Sequence, residues 1–266
     1  MPLPDRRMPA VLFSVLALAG CGGPKGVKPP KPHLAVAPSY VARDDGQVRR
    51  VHQYQTQLAL AGGELQAGDT AAAEKRARAA LGLFPQRADA MLILAATADR
   101  QGKAEQAQQW LQRAAETAPQ RGDVLNNYGA WLCQNGRASE SLAWFDRAVA
   151  APAYPTPEVA QANAGTCALQ LGQRERAERD LRAALQRDAG NMQALESMAR
   201  LSFDQGAYLE ARAFAERRLA AAPATLSMLQ LASQIEARLG DQRAADRYLQ
   251  RIRQEFPQAA GTNSKG

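Results

Sequence analysis

Six glycines, Gly68, Gly102, Gly136, Gly172, Gly206 and Gly240, stand 34, 34, 36, 34 and 34 residues apart in a chain of 266. A fixed period of this length admits few folds, because so short a unit cannot bury a core by itself and must stack on its neighbours. Two further registers keep the same phase. Five residues after the glycines come Ala73, Ala107, Ser141, Ala177, Ala211 and Ala245, and seven before them come Ala61, Ala95, Gly129, Gly165, Ala199 and Ser233. All twelve are small, so two helices flanking each glycine can approach closely. Twelve residues after each glycine the chain places Ala80, Ala114, Ala148 and Ala184, then Arg218 and Ile252, so this register frays in the last two copies. Pro85, Pro119, Pro223 and Pro257 fall seventeen residues after their glycines. They end the second helix of each unit, since proline lacks the backbone donor and clashes with the preceding turn.

The stretch 126–148 is the clearest copy: a helix with Tyr128 beside Gly129, a turn at Gly136, and a second helix through Ser141, Phe145 and Ala148. A helix-turn-helix unit of 34 residues resembles the tetratricopeptide repeat (TPR). That resemblance implies an all-α fold, a right-handed superhelix of six TPR units at 54–87, 88–121, 122–157, 158–191, 192–225 and 226–259, within an array spanning 48–259. The third unit carries two extra residues, which the proline-rich segment 150–157 absorbs as a longer connection. Leu60 and Leu94 are expected to pack inside, and Leu81, Leu83 and Leu111 to close the second helices. The polar tail 260–266 reads as disordered.

Ahead of the array, Arg6 and Arg7 precede an apolar run at 11–19 that closes on Leu18, Ala19, Gly20 and Cys21. A basic start, an apolar core and small residues at the end make a signal peptide, and the run is shorter than the roughly 20 residues a spanning helix takes. Its last four residues resemble the bacterial lipobox. The resemblance implies a signal peptide at 1–20, cleavage before Cys21 and acylation of that cysteine; an ordinary secretion signal with an incidental cysteine is the alternative. Gly22 follows rather than the aspartate that resembles an inner-membrane retention signal, which implies a lipid-anchored protein on the periplasmic face of the outer membrane. Residues 21–47 hold Pro24, Pro29, Pro30, Pro32 and Pro38 and few large apolar side chains. Such a segment buries no core, and extended at about 3.1 Å per residue it reaches roughly 80 Å.

The formal charge is +7, of which Arg6 and Arg7 less Asp5 belong to the signal peptide, leaving about +6 on the mature chain. The basic residues fall mostly on second helices among glutamates, as in Lys75, Arg76 and Arg78, in Arg174, Arg176 and Arg179, and in Arg217 and Arg218. They read as a solvated convex face, and a periplasmic address removes the usual nucleic-acid partner. No enzyme is expected. The only histidines, His33 and His52, lie near or in the tether, so the repeats lack an imidazole base. There is no glycine-rich phosphate loop and no Gly-x-Ser-x-Gly turn. No metal, cofactor or small-molecule substrate is expected either.

In TPR folds certain first-helix positions line a concave groove. Here they include Leu58, Gly62 and Leu65 in repeat one and Leu92 and Ala96 in repeat two. Repeats five and six supply Gln193, Glu196, Arg200, Phe203 and Asp204, then Gln230, Gln234 and Arg238, so the groove turns polar toward the C-terminus. Leu58, Leu65, Leu92 and Ala96 therefore form the expected partner-binding groove, suited to an extended or helical peptide with apolar anchors; the bland alternative is packing on the tether or neighbouring helices. Leu92 and Ala96 also stand where a carboxylate-clamp TPR would need a basic residue and an asparagine. Cys133 and Cys167 sit on adjacent first helices, where a disulfide forms if their Cα atoms lie within about 7 Å; two buried thiols are the alternative. Trp110 and Trp144 share one register and mark either a convex contact patch or packing between helices.

Asn126, Asn127, Tyr128, Gly129, Ala130, Trp131, Leu132 and Cys133, followed by Phe145, Ala148, Tyr154 and the run from Asn163 to Cys167, resemble the type IV pilus biogenesis lipoproteins of the PilF/PilW kind. Trp131 replaces the phenylalanine more usual there. The resemblance implies a pilotin, a lipoprotein that brings the type IV pilus secretin to the outer membrane and promotes its multimerisation, and so supports twitching motility. Its partners would be the secretin and, through acyl chains, the outer membrane. A general periplasmic TPR lipoprotein serving outer-membrane protein assembly or cell-wall enzymes is the alternative.

Overall fold

A computed structural model of the chain describes residues 45–260, and Cys21, the tether as far as residue 44 and the tail 261–266 lie outside the described residues; Gly46 and Gln47, expected in the tether, and Ala260, expected in the tail, are helical. Every element described is a helix: α1 (Gly46–Gln66), α2 (Thr70–Leu83), α3 (Ala88–Arg100), α4 (Ala104–Thr117), α5 (Gly122–Gln134), α6 (Ala138–Ala150), α7 (Pro157–Gln170), α8 (Arg174–Arg187), α9 (Met192–Asp204), α10 (Tyr208–Ala221), α11 (Leu226–Leu239), α12 (Gln242–Glu255) and the short α13 (Pro257–Ala260). The first twelve form six antiparallel pairs, and each pair packs on the next in a TPR superhelix.

The turns explain the glycine period. All six glycines have φ between 70° and 85°, a left-handed conformation that costs a side-chain-bearing residue energy. At each turn the amide after the glycine donates to the carbonyl five residues back, as from Lys103 to Ala98 at 2.9 Å and from Arg137 to Leu132 at 2.8 Å. This closes the C-terminus of the first helix and reverses the chain. Several starts are capped by side chains: Asp69, Asn191, Thr225 and Asp241 accept from the amides of Ala72, Ala194, Met228 and Ala244, each cap contributing about 1 kcal/mol. The four prolines stand just beyond the ends of α2, α4, α10 and α12.

The small residues lie where the paired helices touch. Ala73, Ala107, Ser141, Ala177 and Ala211 are wholly buried. A Cβ on Gly129 would meet the Phe145 ring at 2.8 Å, and one on Gly165 would meet Leu181 Cγ at 2.5 Å. The core is thus alanine-lined helix contact, filled out by Met91, Leu94, Leu125, Leu132, Leu181, Leu195, Met198, Leu201, Met228 and Leu229.

Three departures have local causes. Helix α1 begins at Gly46 and runs for 21 residues, against 13 or 14 in the other first helices. Leu60, expected inside, is 42 % exposed whereas its counterpart Leu94 is 2 % exposed. Leu94 packs against Ala61 and Ala77 of the preceding repeat, and among the described residues no helix precedes α1 to cover Leu60 in the same way. The two extra residues of repeat three lie between α6 and α7, where Ala153 takes φ of 56° at a cost of about 1–2 kcal/mol. Tyr154 then folds back onto Gly122 at the start of α5, where any Cβ would sit 2.4 Å from its ring.

Cys133 of α5 and Cys167 of α7 form a disulfide with Cα atoms 6.0 Å apart. It joins the first helices of repeats three and four, across the longer connection.

Candidate functional site

Helices α1, α3, α5, α7, α9 and α11 touch one another in sequence, so the first helices form one continuous wall. That wall changes character along its length.

Between α3 and α5 it opens into a cleft of about 290 Å³. Helix α3 contributes Leu92, Ala95, Ala96 and Asp99, α5 contributes Asn127, Ala130, Trp131 and Gln134, and Leu111 of α4 closes the floor. The two chemistries come from helical spacing. Residues 92, 95, 96 and 99 share one face of α3, and 127, 130, 131 and 134 share the facing side of α5. Alanines leave the space that larger side chains would fill. Trp131 is 8 % exposed, and its indole Nε1 donates to Asp99 Oδ1 at 2.9 Å. This bond fixes the ring as an apolar wall and leaves the other Asp99 oxygen to accept from a ligand. A cleft of this size fits one or two apolar side chains, each contributing about 1.5–3 kcal/mol when fully buried, with polar groups at the rim to orient the backbone.

Of the four residues expected to form the groove, Leu92 and Ala96 line this cleft. Leu58 and Leu65 do not. Leu58 packs instead with Tyr54, Ala80 and Ala90, and Leu65 is half-buried one repeat away, its carbonyl accepting from the Arg100 guanidinium. Their place in the repeat points them toward the groove, but Tyr54 and Phe84 build an aromatic cluster at that end which takes up Leu58. Trp131, Asp99, Asn127 and Gln134 were missed as cleft residues. The available signal was Trp131 itself, five residues before its glycine, where the other repeats carry Gly63, Thr97, Cys167, Leu201 and Ile235.

A polar chain holds the N-terminal rim. Tyr54 Oη donates to Asp89 Oδ2 at 3.1 Å, and Arg121 donates to Asp89 Oδ1 at 2.6 Å and also to Asp123. This links α1, α3 and α5. Burial, with Asp89 adding to it, pushes the Tyr54 phenol up to about 12, and the Arg121 guanidinium holds the Asp123 carboxyl below its usual range.

Farther along, polar side chains bridge successive first helices. Asn163 Nδ2 donates to Asn126 Oδ1 at 2.8 Å, Thr166 and Ser197 share a hydrogen bond of 2.9 Å, Gln193 donates to Thr166 at 3.0 Å and Ser227 to Glu196 at 3.1 Å. The expected turn to polarity is present, but these groups are largely spent on each other. Arg218 departs from its expected solvated position: it is 6 % exposed, with Nε 3.5 Å from Glu196 Oε2, because its register is the inward one that alanine occupies in other repeats.

Trp110 and Trp144 are half-buried against the core of repeats two and three. Trp144 packs on Tyr128 with centroids 4.7 Å apart, under the Arg147 guanidinium at 4.3 Å. Packing between helices accounts for both rings. Among the described residues no three His, Cys, Asp or Glu side chains gather to hold a metal ion, and no helix is long and apolar enough to cross a membrane.

Residues 64–126 and 163–224 each match a family model described as Tetratricopeptide repeat. No curated protein matches the chain. Among solved structures, the chain is 28 % identical to PilW, described as a widely conserved type IV pilus biogenesis factor, over 77 % of this chain and 94 % of that one, with a TM-score of 0.70. It is 23 % identical to PilF of Pseudomonas aeruginosa over 79 % of this chain and 94 % of that one, with a TM-score of 0.72. A tetratricopeptide repeat protein of Parabacteroides merdae is 18 % identical over 76 % of this chain and 79 % of its own, with a TM-score of 0.59. The last two likenesses are of fold alone.

Proposed function

We propose that this chain is an outer-membrane lipoprotein that acts as a pilotin, bringing the type IV pilus secretin to the outer membrane and promoting its multimerisation. The observation that carries the reading is the 28 % identity to PilW across 94 % of that chain, joined to a groove that opens between repeats two and three into a cleft walled by Leu92, Ala96 and Trp131. In this reading Cys21 carries the acyl chains, the residues between Cys21 and the start of α1 give reach from the membrane, and an extended secretin segment places an apolar anchor between Leu92, Ala96 and Trp131. The Asp99 carboxylate and the Asn127 and Gln134 amides then bond to the segment's backbone or to a basic neighbour of the anchor. The protein acts by holding a partner, without catalysis, cofactor or small-molecule substrate.

The test measures the secretin in the outer-membrane fraction, and its heat-resistant multimers, in cells carrying the wild-type protein, Cys21→Ala, Ala96→Asp or no protein. Ala96 is exposed on the cleft wall, so Ala96→Asp charges the cleft and leaves the helical circular dichroism spectrum unchanged. The expected results are loss of multimers without the protein, secretin in the wrong membrane with Cys21→Ala, and failed assembly with Ala96→Asp. Normal secretin rings in cells lacking the protein would overturn the reading and leave a general periplasmic TPR scaffold.

A further inference from the structure

In repeats one to four, the position twelve residues after the turn glycine holds a wholly buried alanine. Repeat five puts Arg218 there, 6 % exposed. Its side chain reaches a pocket of about 410 Å³ on the first-helix wall of repeats four and five, whose other lining residues are Thr166, Met192, Gln193, Glu196 and Ser197. Arginine carries five N–H donors and no acceptor. Among the described residues Arg218 makes one long hydrogen bond, from Nη1 to the Pro223 carbonyl at 3.4 Å, and its buried Nε makes none, standing 3.5 Å from Glu196 Oε2. Glu196 is itself held by the Ser227 hydroxyl at 3.1 Å. A buried guanidinium with unused donors is unfavourable unless an acceptor reaches it, and the open space beside this one is the pocket.

We infer that this pocket is a second ligand site, which takes a carboxylate of a peptide chain on the Arg218 guanidinium. The planar fork of arginine matches the two oxygens of a carboxylate. Glu196 is the resident competitor; an incoming carboxylate takes its place beside Arg218 and leaves it on Ser227. Met192, 49 % exposed, offers an adaptable apolar surface to the residue next to that carboxylate. Thr166, Gln193 and Ser197 are already bonded among themselves, so they shape the pocket without competing for the ligand. This site is separate from the cleft between α3 and α5, and its failure would leave the secretin reading standing.

The experiment follows the Arg218 Nε–H signal by nuclear magnetic resonance in full-length protein carrying isotope-labelled arginine, with the Met192 methyl signal as a second reporter. The probes are N-acetylmethionine, with a chain-terminal carboxylate, N-acetylglutamic acid α-amide, with a side-chain carboxylate, and N-acetylmethioninamide, with neither. A saturable shift of both reporters with a carboxylate probe and none with the amide is expected; the tighter carboxylate identifies its source. Arg218→Lys keeps the charge but loses the fork, and should weaken binding about tenfold at the Met192 reporter. Glu196→Gln, on the pocket rim, should retain its circular dichroism spectrum and bind a few-fold more tightly, because the competitor has lost its charge. Were Arg218 and Glu196 only a structural pair, Glu196→Gln would lower stability and gain no affinity. That result, an absence of saturable shifts, or equal shifts with the amide would overturn the inference.

Discussion

Repeats two and three and repeats four and five are built on the same buried register of small residues, yet their groove faces differ. The first pair opens an apolar cleft walled by Leu92, Ala96 and Trp131. The second lines its groove face with the bonded Thr166, Gln193, Ser197 and Glu196 and leaves there a pocket of about 410 Å³ that a buried arginine backs. In a stacked array the contacts between helices fix the fold, while the open face of each first helix is free to diverge. The groove therefore presents two kinds of surface on one frame.

The largest expected effect lies at the seam between these regions. The disulfide closes a separation of 34 residues, so replacing Cys133 and Cys167 together by alanine should cost about 3–4 kcal/mol by the loop-closure estimate. All three tryptophans, Trp110, Trp131 and Trp144, lie in repeats two and three. Urea unfolding followed by tryptophan fluorescence and by circular dichroism should coincide in the wild-type protein and separate in the double variant. Coincident curves in both would mean that helix packing alone couples the two regions.

Gly165→Val tests repeat four by itself. Its Cβ would stand 2.5 Å from Leu181 Cγ and 3.0 Å from the Ala177 carbonyl oxygen, and overpacking of this kind costs about 1–3 kcal/mol. The circular dichroism midpoint should fall more than the fluorescence midpoint. Equal shifts would show that the strain spreads across the seam.

At the other end, burial raises the Tyr54 phenol to about 12 from its ordinary value of about 10. The folded protein favours the neutral phenol, so this contribution is complete below about pH 10 and is lost as pH rises through about 12. Burial raises Tyr154 and Tyr248 as well. Tyr54→Phe should therefore reduce the alkaline loss of stability without abolishing it, and at pH 7 should cost about 1 kcal/mol for the missing bond to Asp89. Unfolding midpoints from pH 8 upward check both statements. The smallest effect is expected from Arg182→Gln, which removes half-exposed pairs with Glu178 and Glu210. Such pairs are worth about 0–1 kcal/mol, so a thermal melt should barely move.

The period was legible because each turn needs a positive φ and each helix contact needs a small residue, and both requirements leave fixed letters. The cleft was only partly legible. Position within the repeat led to Leu92 and Ala96, but also to Leu58, which the aromatic cluster of Tyr54 and Phe84 draws into packing. Leu60 was misread for a related reason: the register that buries Leu94 requires a preceding repeat. Trp131 looked like an exchange of one aromatic for another, since only the folded chain brings its indole N–H to Asp99, 32 residues away. Arg218 broke the alanine register in plain view, but its charge argued for solvent, and only the packing of α9 and α10 shows that it is enclosed.

An array of equal units poses a difficulty for any extended ligand, because sliding it along by one repeat offers nearly the same surface again. Trp131 and its bond to Asp99 occur once among the repeats, as does Arg218 facing Glu196. They act as fixed marks on an otherwise evenly divided ruler. A chain whose apolar anchor met the first mark would be held in a single register, and one whose carboxylate also met the second would lie in a single direction, so its position along the array would become defined.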